Sequence, residues 1–241
     1  MKRKIVFWAI LAVCAVFVGS AFAETIGPLS SKDGLTLGVG YATNSRVIQG
    51  KTFASVQEYV GVEYASKGWQ PYLRLGYTDL KIKNGFGGTW GDFKDSGGVF
   101  GTVGLKKSLY KKDKWTIGAY GQVSLSQDFS DQESGVDYGV PLTIELKVKN
   151  HTEAKIGALI QRAIGPVEAY VGPFYQWAGG TIEGVGTTPT ETNKRSLSIK
   201  ADDDFGGLAG AVINLGKNFG LNVEVQQTSK TSIATALTYR F

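Results

Sequence analysis

Thiols are almost absent from this sequence, because the only cysteine among 241 residues is Cys14, inside an apolar stretch near the amino terminus. A fold held together by disulfides is therefore excluded. Proline is also scarce, with 6 residues, whereas glycine is abundant, with 33, and aromatic residues make up 12% of the chain. This composition favours many strands and turns over a helical bundle.

Without the basic residues at the amino terminus, the chain has nearly equal numbers of positive and negative charges. The formal net charge is +5, but Lys2, Arg3 and Lys4 carry three of these charges and no acidic residue precedes Glu24. Without them, 26 basic residues become 23 against 21 acidic ones, a net charge of +2. The chain therefore lacks the electrostatic footprint of a nucleic-acid-binding protein.

Residues 1–23 have the three parts of a secretory signal peptide: a basic start, an apolar run from Ile5 to Val18, and small residues before Glu24. Cleavage is predicted after Ala23, which leaves residues 24–241 as one exported domain without thiols. An uncleaved amino-terminal anchor is the alternative. It is disfavoured because the apolar run is short for a membrane span and Ala21-Phe22-Ala23 follows it directly.

Beyond residue 23 no apolar run approaches the 18 or so residues that a membrane helix needs. Apolar and polar residues instead alternate with a period of two, which is typical of half-buried strands. Ten strands are predicted: Gly34 to Ala42, Ser55 to Ala65, Gln70 to Leu80, Val99 to Leu109, Trp115 to Leu125, the second half of residues 140–162, Val167 to Trp177, Phe205 to Leu215, Phe219 to Gln227, and Thr231 to Phe241. Eight and twelve strands stay open as alternatives.

The predicted connections alternate between short turns and long loops. Short turns follow the second, fourth, sixth and eighth strands, and long loops follow the first, third, fifth and seventh. Three of these loops are Lys83 to Gly98, an acidic stretch after Leu125, and Ala178 to Asp204, and the first half of residues 140–162 is expected to rise above the membrane surface. Sorting by length predicts a barrel whose loops lie on one side of a membrane.

The last strand carries a family resemblance. Its ending, with Leu237, Tyr239 and Phe241 on one face, resembles the carboxy-terminal signature of bacterial outer-membrane β-barrels, and the whole pattern is similar to small barrels of the outer-membrane protein A type. The resemblance implies an all-β, transmembrane, up-and-down antiparallel barrel in a Gram-negative-type outer membrane. It also implies contact with lipid and lipopolysaccharide, recognition of the last strand by the barrel assembly machinery, and loops available to an extracellular ligand.

Aromatic residues of outward parity concentrate near the two ends of the predicted strands. Rings at both bilayer interfaces are typical of membrane barrels. The predicted belts contain Tyr41, Tyr64, Trp69, Tyr77, Trp115, Tyr175, Trp177 and Phe219.

Charged residues also occur at positions of inward parity. Inside a narrow barrel, isolated charges are costly, so an ion-paired and hydrogen-bonded plug is predicted, with a water-filled conduit as the alternative. The residues concerned are Glu63, Arg74, Lys106, Lys155, Glu168, Glu224 and Arg240.

Catalytic groups are sparse. Some small outer-membrane barrels are enzymes: omptin proteases use aspartates and a histidine, and lipid A deacylases use a serine and a histidine. Here the one histidine, His151, has Glu153 nearby, and Asp79, Asp128 and the run Asp202 to Asp204 lie near strand ends. Because no second element of either signature surrounds His151, no catalytic residue is predicted, and no metal site or cofactor.

The sequence thus predicts an integral outer-membrane barrel with a structural or surface-interaction role and a largely plugged lumen. A narrow porin-like channel for ions or small solutes is the main alternative. An outer-membrane hydrolase of the omptin or lipid A deacylase kind is the third reading.

Overall fold

A computed structural model describes residues 25–30, 32–48, 51–86, 91–137, 140–200 and 204–241. The predicted signal peptide, residues 1–23, lies outside the described residues. Within the described ranges, no helix is long and apolar enough to cross a membrane. The strands of this part of the chain are β1 (Gly34–Ile48), β2 (Lys51–Ala65), β3 (Trp69–Ile82), β4 (Phe93–Lys112), β5 (Trp115–Ser126), β6 (Phe129–Asp137), β7 (Val140–Ile164), β8 (Val167–Thr187), β9 (Thr192–Lys200), β10 (Asp204–Asn214), β11 (Phe219–Gln227) and β12 (Thr231–Arg240).

Ten of these strands close into an antiparallel barrel in the order β7-β5-β4-β3-β2-β1-β12-β11-β10-β8, and β8 pairs back onto β7. The predicted all-β, up-and-down barrel of ten strands is therefore confirmed. The barrel forms because residues that face the lumen alternate with apolar residues that face outward. Along β3, Tyr72 and Arg74 are buried inside, whereas Leu73 and Leu75 are exposed outside. A slip of one residue would reverse both faces.

The two remaining strands, β6 and β9, correct the prediction of loops after Leu125 and after Ala178. The strand β6 pairs with residues 140–148 of β7, and β9 pairs with residues 179–187 of β8. The same parts of β7 and β8 pair with each other. Together they form a four-stranded sheet beyond the barrel, here called the loop-end sheet. The sequence pattern does not predict β6 and β9, because their composition is polar and edge strands in water tolerate polar side chains on both faces.

Short turns lie at one end of the barrel, the turn end. Ser66–Gly68, Asp113–Lys114 and Gly165–Pro166 join β2 to β3, β4 to β5, and β7 to β8. Gly165 has a φ of 60°, a conformation that glycine adopts without steric cost. The start of β1 and the end of β12 pair at this end too, so the barrel closes where the termini meet. The opposite end is called the loop end. The prediction of a long loop there after the first strand is wrong, because β1 continues to Ile48 and β2 begins at Lys51, and the predicted loop Lys83 to Gly98 is shorter, because β4 begins at Phe93.

Aromatic rings fill much of the barrel interior, each lying across a glycine of the neighbouring strand. Tyr72 is the direct cross-strand partner of Gly104, and a methyl group added at Gly104 would overlap the Tyr72 ring. Glycine is required here because a narrow barrel leaves no room for both a ring and a side chain at one level. The other such pairs are Tyr59 with Gly40, Tyr120 with Gly157, Tyr170 with Gly210, and Phe174 with Gly206.

Candidate functional site: the barrel lumen

Residues Thr25–Ser30, here called the N-terminal segment, lie inside the lumen. Thr25 is 3% exposed, and Ile26 and Leu29 are fully buried. The Ser30 amide donates to Oε1 of Gln70 at 2.6 Å, near the turn end, and the hydroxyl groups of Thr25 and Tyr59 are 2.5 Å apart, deeper in the barrel. The segment therefore rises from the turn end towards the middle of the lumen, with Thr25 at its deepest point.

Glu224 of β11 binds the backbone of this segment. Its carboxylate accepts the Ile26 N–H at 3.0 and 3.1 Å and the Gly27 N–H at 3.0 Å. Gly27 has a φ of 72°, which lets successive amides converge on one anion. The hydroxyl of Tyr170 at 2.7 Å and Nε2 of Gln226 at 2.6 Å complete the shell. These donors compensate a carboxylate that has no exposed surface.

Lys106 of β4 binds the carbonyl groups of the same segment. Its Nζ donates to the carbonyl of Pro28 at 2.8 Å and to that of Ile26 at 3.3 Å, and it lies 2.7 Å from Oε2 of Glu63. The Lys106 side chain is only 2% exposed. A buried ammonium needs such partners, so the segment is part of what makes this burial tolerable.

A third contact comes from Gln161 of β7. Its Oε1 accepts the Leu29 N–H at 2.7 Å, and its Nε2 donates to the Leu29 carbonyl at 3.0 Å and to Oε2 of Glu168 at 2.7 Å. One side-chain amide thus satisfies both backbone groups of Leu29, as a neighbouring strand would. In the lumen, Gln161 and Glu224 therefore bind backbone groups of the segment and not its side chains.

The side chains of the segment supply its apolar contacts. Ile26 and Leu29 pack against one wall of the lumen, in a buried cluster completed by Tyr120, Leu159, Tyr170, Phe174 and Leu208. Burying such side chains stabilises docking by about 1.5–3 kcal/mol each. Apolar burial on one wall and backbone hydrogen bonds on the others therefore hold the segment.

The remaining predicted lumen charges have polar or aromatic partners. The Arg74 guanidinium lies 4.5 Å from the ring centre of Tyr72, and Lys155 Nζ donates to Oε1 of Gln226 at 2.7 Å. Arg240 Nε is 3.5 Å from Oγ1 of Thr36 near the turn end. Among the seven predicted residues, Glu63 and Lys106 form an ion pair and Glu168 joins the Gln161 contact, while Glu224 binds the N-terminal segment.

Two apolar layers lie between the segment and the loop end. The first packs Tyr59 edge-on against Phe100, with ring centres 6.5 Å apart, beside Ala42 and Ala234. The second closes the loop end and contains Phe53, Leu80, Ile82, Phe86, Phe93, Phe129, Val148 and Ala178. Space remains as a cavity of about 130 Å³ on the turn side and one of about 30 Å³ between the layers.

The smaller cavity contains His151. Its Nδ1 lies 3.1 Å from Oγ of Ser126, and the Phe129 ring packs edge-on at 6.5 Å. A hydroxyl beside an imidazole is the first element of an activated nucleophile. Here the pair lies beside Phe129 at a cavity of about 30 Å³, which has room for one or two waters.

The acidic residues near this end accept hydrogen bonds from backbone groups and, in one case, from a side-chain amide. Asp79 accepts the Val56 N–H, Asp128 accepts the Asn150 N–H at 3.2 Å, and Glu153 accepts from Nδ2 of Asn44 at 3.5 Å. Asp202 and Asp203 lie outside the described residues. Within the described part of the chain, no group of three histidine, cysteine, aspartate or glutamate side chains could hold a metal ion.

Aromatic side chains of the predicted belts point away from the lumen. Tyr41 is partly buried, and the other seven are exposed: Tyr64, Trp69, Tyr77, Trp115, Tyr175, Trp177 and Phe219. At the turn end, the ring of Tyr239 lies 4.9 Å from those of Phe219 and Phe241, and the Phe241 N–H donates to the Leu35 carbonyl at 3.0 Å. Leu237 of the predicted assembly signal pairs with Val39 of β1.

No pattern in the sequence predicts the position of the N-terminal segment. Its six residues are too few to show a period, and its partners stand up to 198 positions away along the chain. The available signal was weak: two apolar residues, Ile26 and Leu29, lie between the predicted cleavage site and the first strand, in a stretch with no other assigned role.

Comparison with known proteins identifies the fold. No protein-family model matches the chain, and no curated protein matches it in sequence. Among solved structures, the translocator domain of the autotransporter NalP from Neisseria meningitidis matches with a TM-score of 0.56 and 10% identity, over 100% of this chain and 96% of that one. The outer-membrane protease OmpT from Escherichia coli matches with a TM-score of 0.53 and 12% identity, over 90% and 99%. The chain therefore has the fold of small bacterial outer-membrane β-barrels.

Proposed function

We propose that this protein is an integral outer-membrane β-barrel that does not conduct ions or solutes and that acts through its loop-end sheet at the cell surface. With the loop-end sheet at the cell surface, the turn end of the barrel faces the periplasm. The observation that carries the proposal is the N-terminal segment, held in the lumen beneath two apolar layers.

The outside of the barrel supports a membrane location. Large apolar side chains alternate along the outer faces of the strands and are largely exposed, among them Val60 at 61%, Val103 at 58% and Leu125 at 57%. A water-soluble monomer rarely exposes a continuous apolar band around its whole circumference. In a bilayer the same band contacts lipid, and a closed barrel leaves no backbone edge inside the hydrocarbon.

The inside supports a closed lumen. An ion that enters from the turn end meets the N-terminal segment, then the Tyr59–Phe100 layer, and then the apolar layer around Phe93 and Phe129. The intervening cavities measure about 130 and 30 Å³. Ten-stranded barrels lie close to the size at which side chains fill the interior, so closure at three levels is physically reasonable.

The loop-end sheet supports a role in surface interactions. The outward face of this sheet carries ion pairs between β7 and β8, such as Lys149 with Glu183 at 2.7 Å. On its other face, Ile144 and Leu146 pack on the apolar layer that closes the loop end. Within the described residues, β9 pairs only with β8. Its outer edge therefore presents backbone groups to solvent, and such an edge can accept a strand from a partner.

Single-channel recording tests the closed lumen. The chain from Glu24 to Phe241 is refolded in detergent, shown to be folded by its faster migration on a gel when unheated, and added to a planar bilayer. We expect no conductance steps at either polarity. A general porin recorded in the same bilayers is the control for insertion and sensitivity.

Steady, reproducible steps from the refolded protein would contradict the proposal and favour the narrow channel. In that case charge reversal at Arg74 or Glu224 should change the ion selectivity, because both side chains face the lumen. Flotation of the protein with lipid vesicles confirms that silence comes from inserted protein and not from protein left in solution.

A further inference from the structure

We propose that the outer face of β4, β5 and β7 at the turn end of the barrel binds the phosphate group of an anionic phospholipid. The inference rests on the proposed membrane location and on the orientation in which the turn end faces the periplasm, so the lipid belongs to the periplasmic leaflet. It adds a lipid class and a binding site to the proposed function.

Two exposed tryptophans at the turn end each have a cation beside the ring. Trp69 begins β3 and Trp115 begins β5, and both rings lie on the outer face of the barrel. Lys107 Nζ lies 4.2 Å from the ring centre of Trp69, and the Arg162 guanidinium lies 4.9 Å from that of Trp115. Lys107 also donates to the carbonyl of Lys67 at 3.4 Å. A cation at the face of a ring keeps further N–H donors for an anion on its other side.

Trp115 lies between two cations. Its direct partner on β4 is Lys112, and its direct partner on β7 is Arg162. All three side chains are exposed and project from the same face of the sheet, because direct cross-strand partners share a face. The strands β4 and β7 are about 10 Å apart at this point. Long basic side chains on either side of one ring can therefore reach a single phosphodiester, to which Arg162 offers two parallel N–H donors.

The depth of these cations in the membrane matches that of a lipid headgroup. Leu105 precedes Lys107 by two residues and Ile160 precedes Arg162 by two residues, and both apolar side chains are exposed on the outer face. Two residues of a strand span about 7 Å. The outer face thus changes from apolar to cationic within one step along each strand, as expected at the boundary between hydrocarbon and headgroups.

Positive charge is concentrated on this wall of the barrel. The turn between β4 and β5 adds Lys114 and contains one carboxylate, Asp113. On the opposite wall, the outward residues at the turn end are Leu35 of β1, Phe219 of β11 and Phe241 after β12. Among the described residues, the outer faces of these three strands carry no charge at that end. An anionic headgroup, with its acyl chains on the apolar band, therefore complements one wall in both charge and depth.

Quenching of tryptophan fluorescence by brominated lipids tests the site. Residues 24–241 contain four tryptophans, and Trp90→Phe with Trp177→Phe leaves Trp69 and Trp115 as reporters. The chain is refolded in vesicles that mix phosphatidylglycerol with phosphatidylcholine, one of the two brominated in its acyl chains. We expect these reporters to prefer phosphatidylglycerol by at least about fivefold at low ionic strength. The preference should fall towards one at about 1 M salt, because salt screens exposed charges.

Lys112→Gln with Arg162→Gln, in the same reporter chain, should bring the preference below about twofold, because both cations beside Trp115 are lost. The matched control is Lys194→Gln with Arg195→Gln, which removes the same two charges from exposed β9 on the loop-end sheet and should keep the preference. Faster migration of unheated protein on a gel shows that each variant is folded. Lys112→Gln alone, with an expected loss of about twofold or more, replaces the double variant if that variant does not fold.

Equal quenching by the two lipids would overturn the proposal, and so would a preference that survives the changes at Lys112 and Arg162. A preference lost equally in the β9 control would also overturn it, since the net charge of the chain would then be the cause. Glycerol phosphate is added at constant ionic strength as a further arm. If it removes the preference, the site takes soluble phosphate and not a lipid.

These outcomes are distinct from a failure of the proposed function. A chain that does not float with vesicles contradicts the membrane location itself. A chain that floats and conducts ions, but still prefers phosphatidylglycerol, contradicts the closed lumen and leaves the lipid site intact.

Discussion

Lys106 and Glu224 hold opposite sides of a single peptide unit. The carbonyl of Ile26 accepts from Lys106 Nζ at 3.3 Å, and the N–H of Gly27, in the same unit, donates to Oε2 of Glu224 at 3.0 Å. The two side chains come from β4 and β11, five places apart around a ring of ten strands, and so from opposite walls. A backbone dipole between the cation and the anion helps to compensate both charges, and the direct ion pair of Lys106 is with Glu63.

Glu224→Gln should release the N-terminal segment. The substitution keeps the volume but replaces an acceptor oxygen by an NH₂ group, which faces the donors Ile26, Gly27 and Tyr170. We expect the free energy of unfolding to fall by about 3 kcal/mol. Urea denaturation of protein folded in lipid vesicles measures this. Glu133→Gln, on exposed β6, should change stability by less than about 0.5 kcal/mol, and an equally small effect at Glu224 would show that its contacts do not hold the segment.

Lys106→Met should be destabilising chiefly because it leaves Glu63 without its cation. The thioether chain preserves the volume, so the expected loss of about 3 kcal/mol reflects the broken pair and the carbonyls of Ile26 and Pro28. Adding Glu63→Gln removes the uncompensated charge. The double-mutant cycle should therefore give a coupling energy of about 1–2 kcal/mol, and strict additivity would argue against the pair.

Gly104→Ala should destabilise the barrel through overpacking. The added methyl group would overlap the ring of Tyr72, whose hydroxyl donates to Oε1 of Gln122 at 2.7 Å, so the ring cannot move without breaking this bond. We expect a loss of about 1–3 kcal/mol in the same urea experiment. Gly121→Ala is the control, because the nearest atom to an added methyl there is 3.9 Å away. Similar effects at both positions would mean that the ring contact does not determine the cost.

Acid should loosen the connection between β3 and β4. The Asn84 N–H, 2.9 Å from the Asp92 carboxylate, and the Lys81 ammonium, 3.1 Å away, lower the pKa of Asp92 from its usual value. A lowered carboxyl pKa gives stability that is complete above the unfolded pKa of about 3.9 and is lost as the pH falls through the folded pKa. We expect protection of the Asn84 amide against hydrogen exchange to be constant from about pH 7 to 5 and to fall below about pH 4.

Asp92→Asn should lower this protection by a few-fold and remove its dependence on pH, because a neutral amide cannot pair with Lys81. Asp113→Asn, in the turn between β4 and β5 at the other end of the barrel, should leave the Asn84 amide unchanged. Loss of protection with the same pH profile in the Asp92 variant would show that another group controls this connection.

The features of this fold that the sequence predicts are those that depend on residues close together along the chain. Alternation between Leu73, Arg74 and Leu75 is a property of neighbouring residues, and it determined which face of β3 meets lipid and which meets the lumen. The lengths of the connections indicated the two ends of the barrel in the same local way, although the long loop predicted after the first strand is a connection of only two residues between Ile48 and Lys51. Ten barrel strands and their order follow from these signals, because consecutive antiparallel strands pair with short turns.

The roles of the lumen charges follow from contacts that form only in the folded chain. Glu224 and Lys106 have inward parity in the sequence, but their common partner, the peptide unit between Ile26 and Gly27, is 80 residues or more away along the chain and carries no periodic pattern. The pairing of polar β9 with the extension of β8 is decided in the same way, by backbone hydrogen bonds that composition does not report. Local patterning thus determined the barrel, and contacts between distant parts of the chain determined how it is closed.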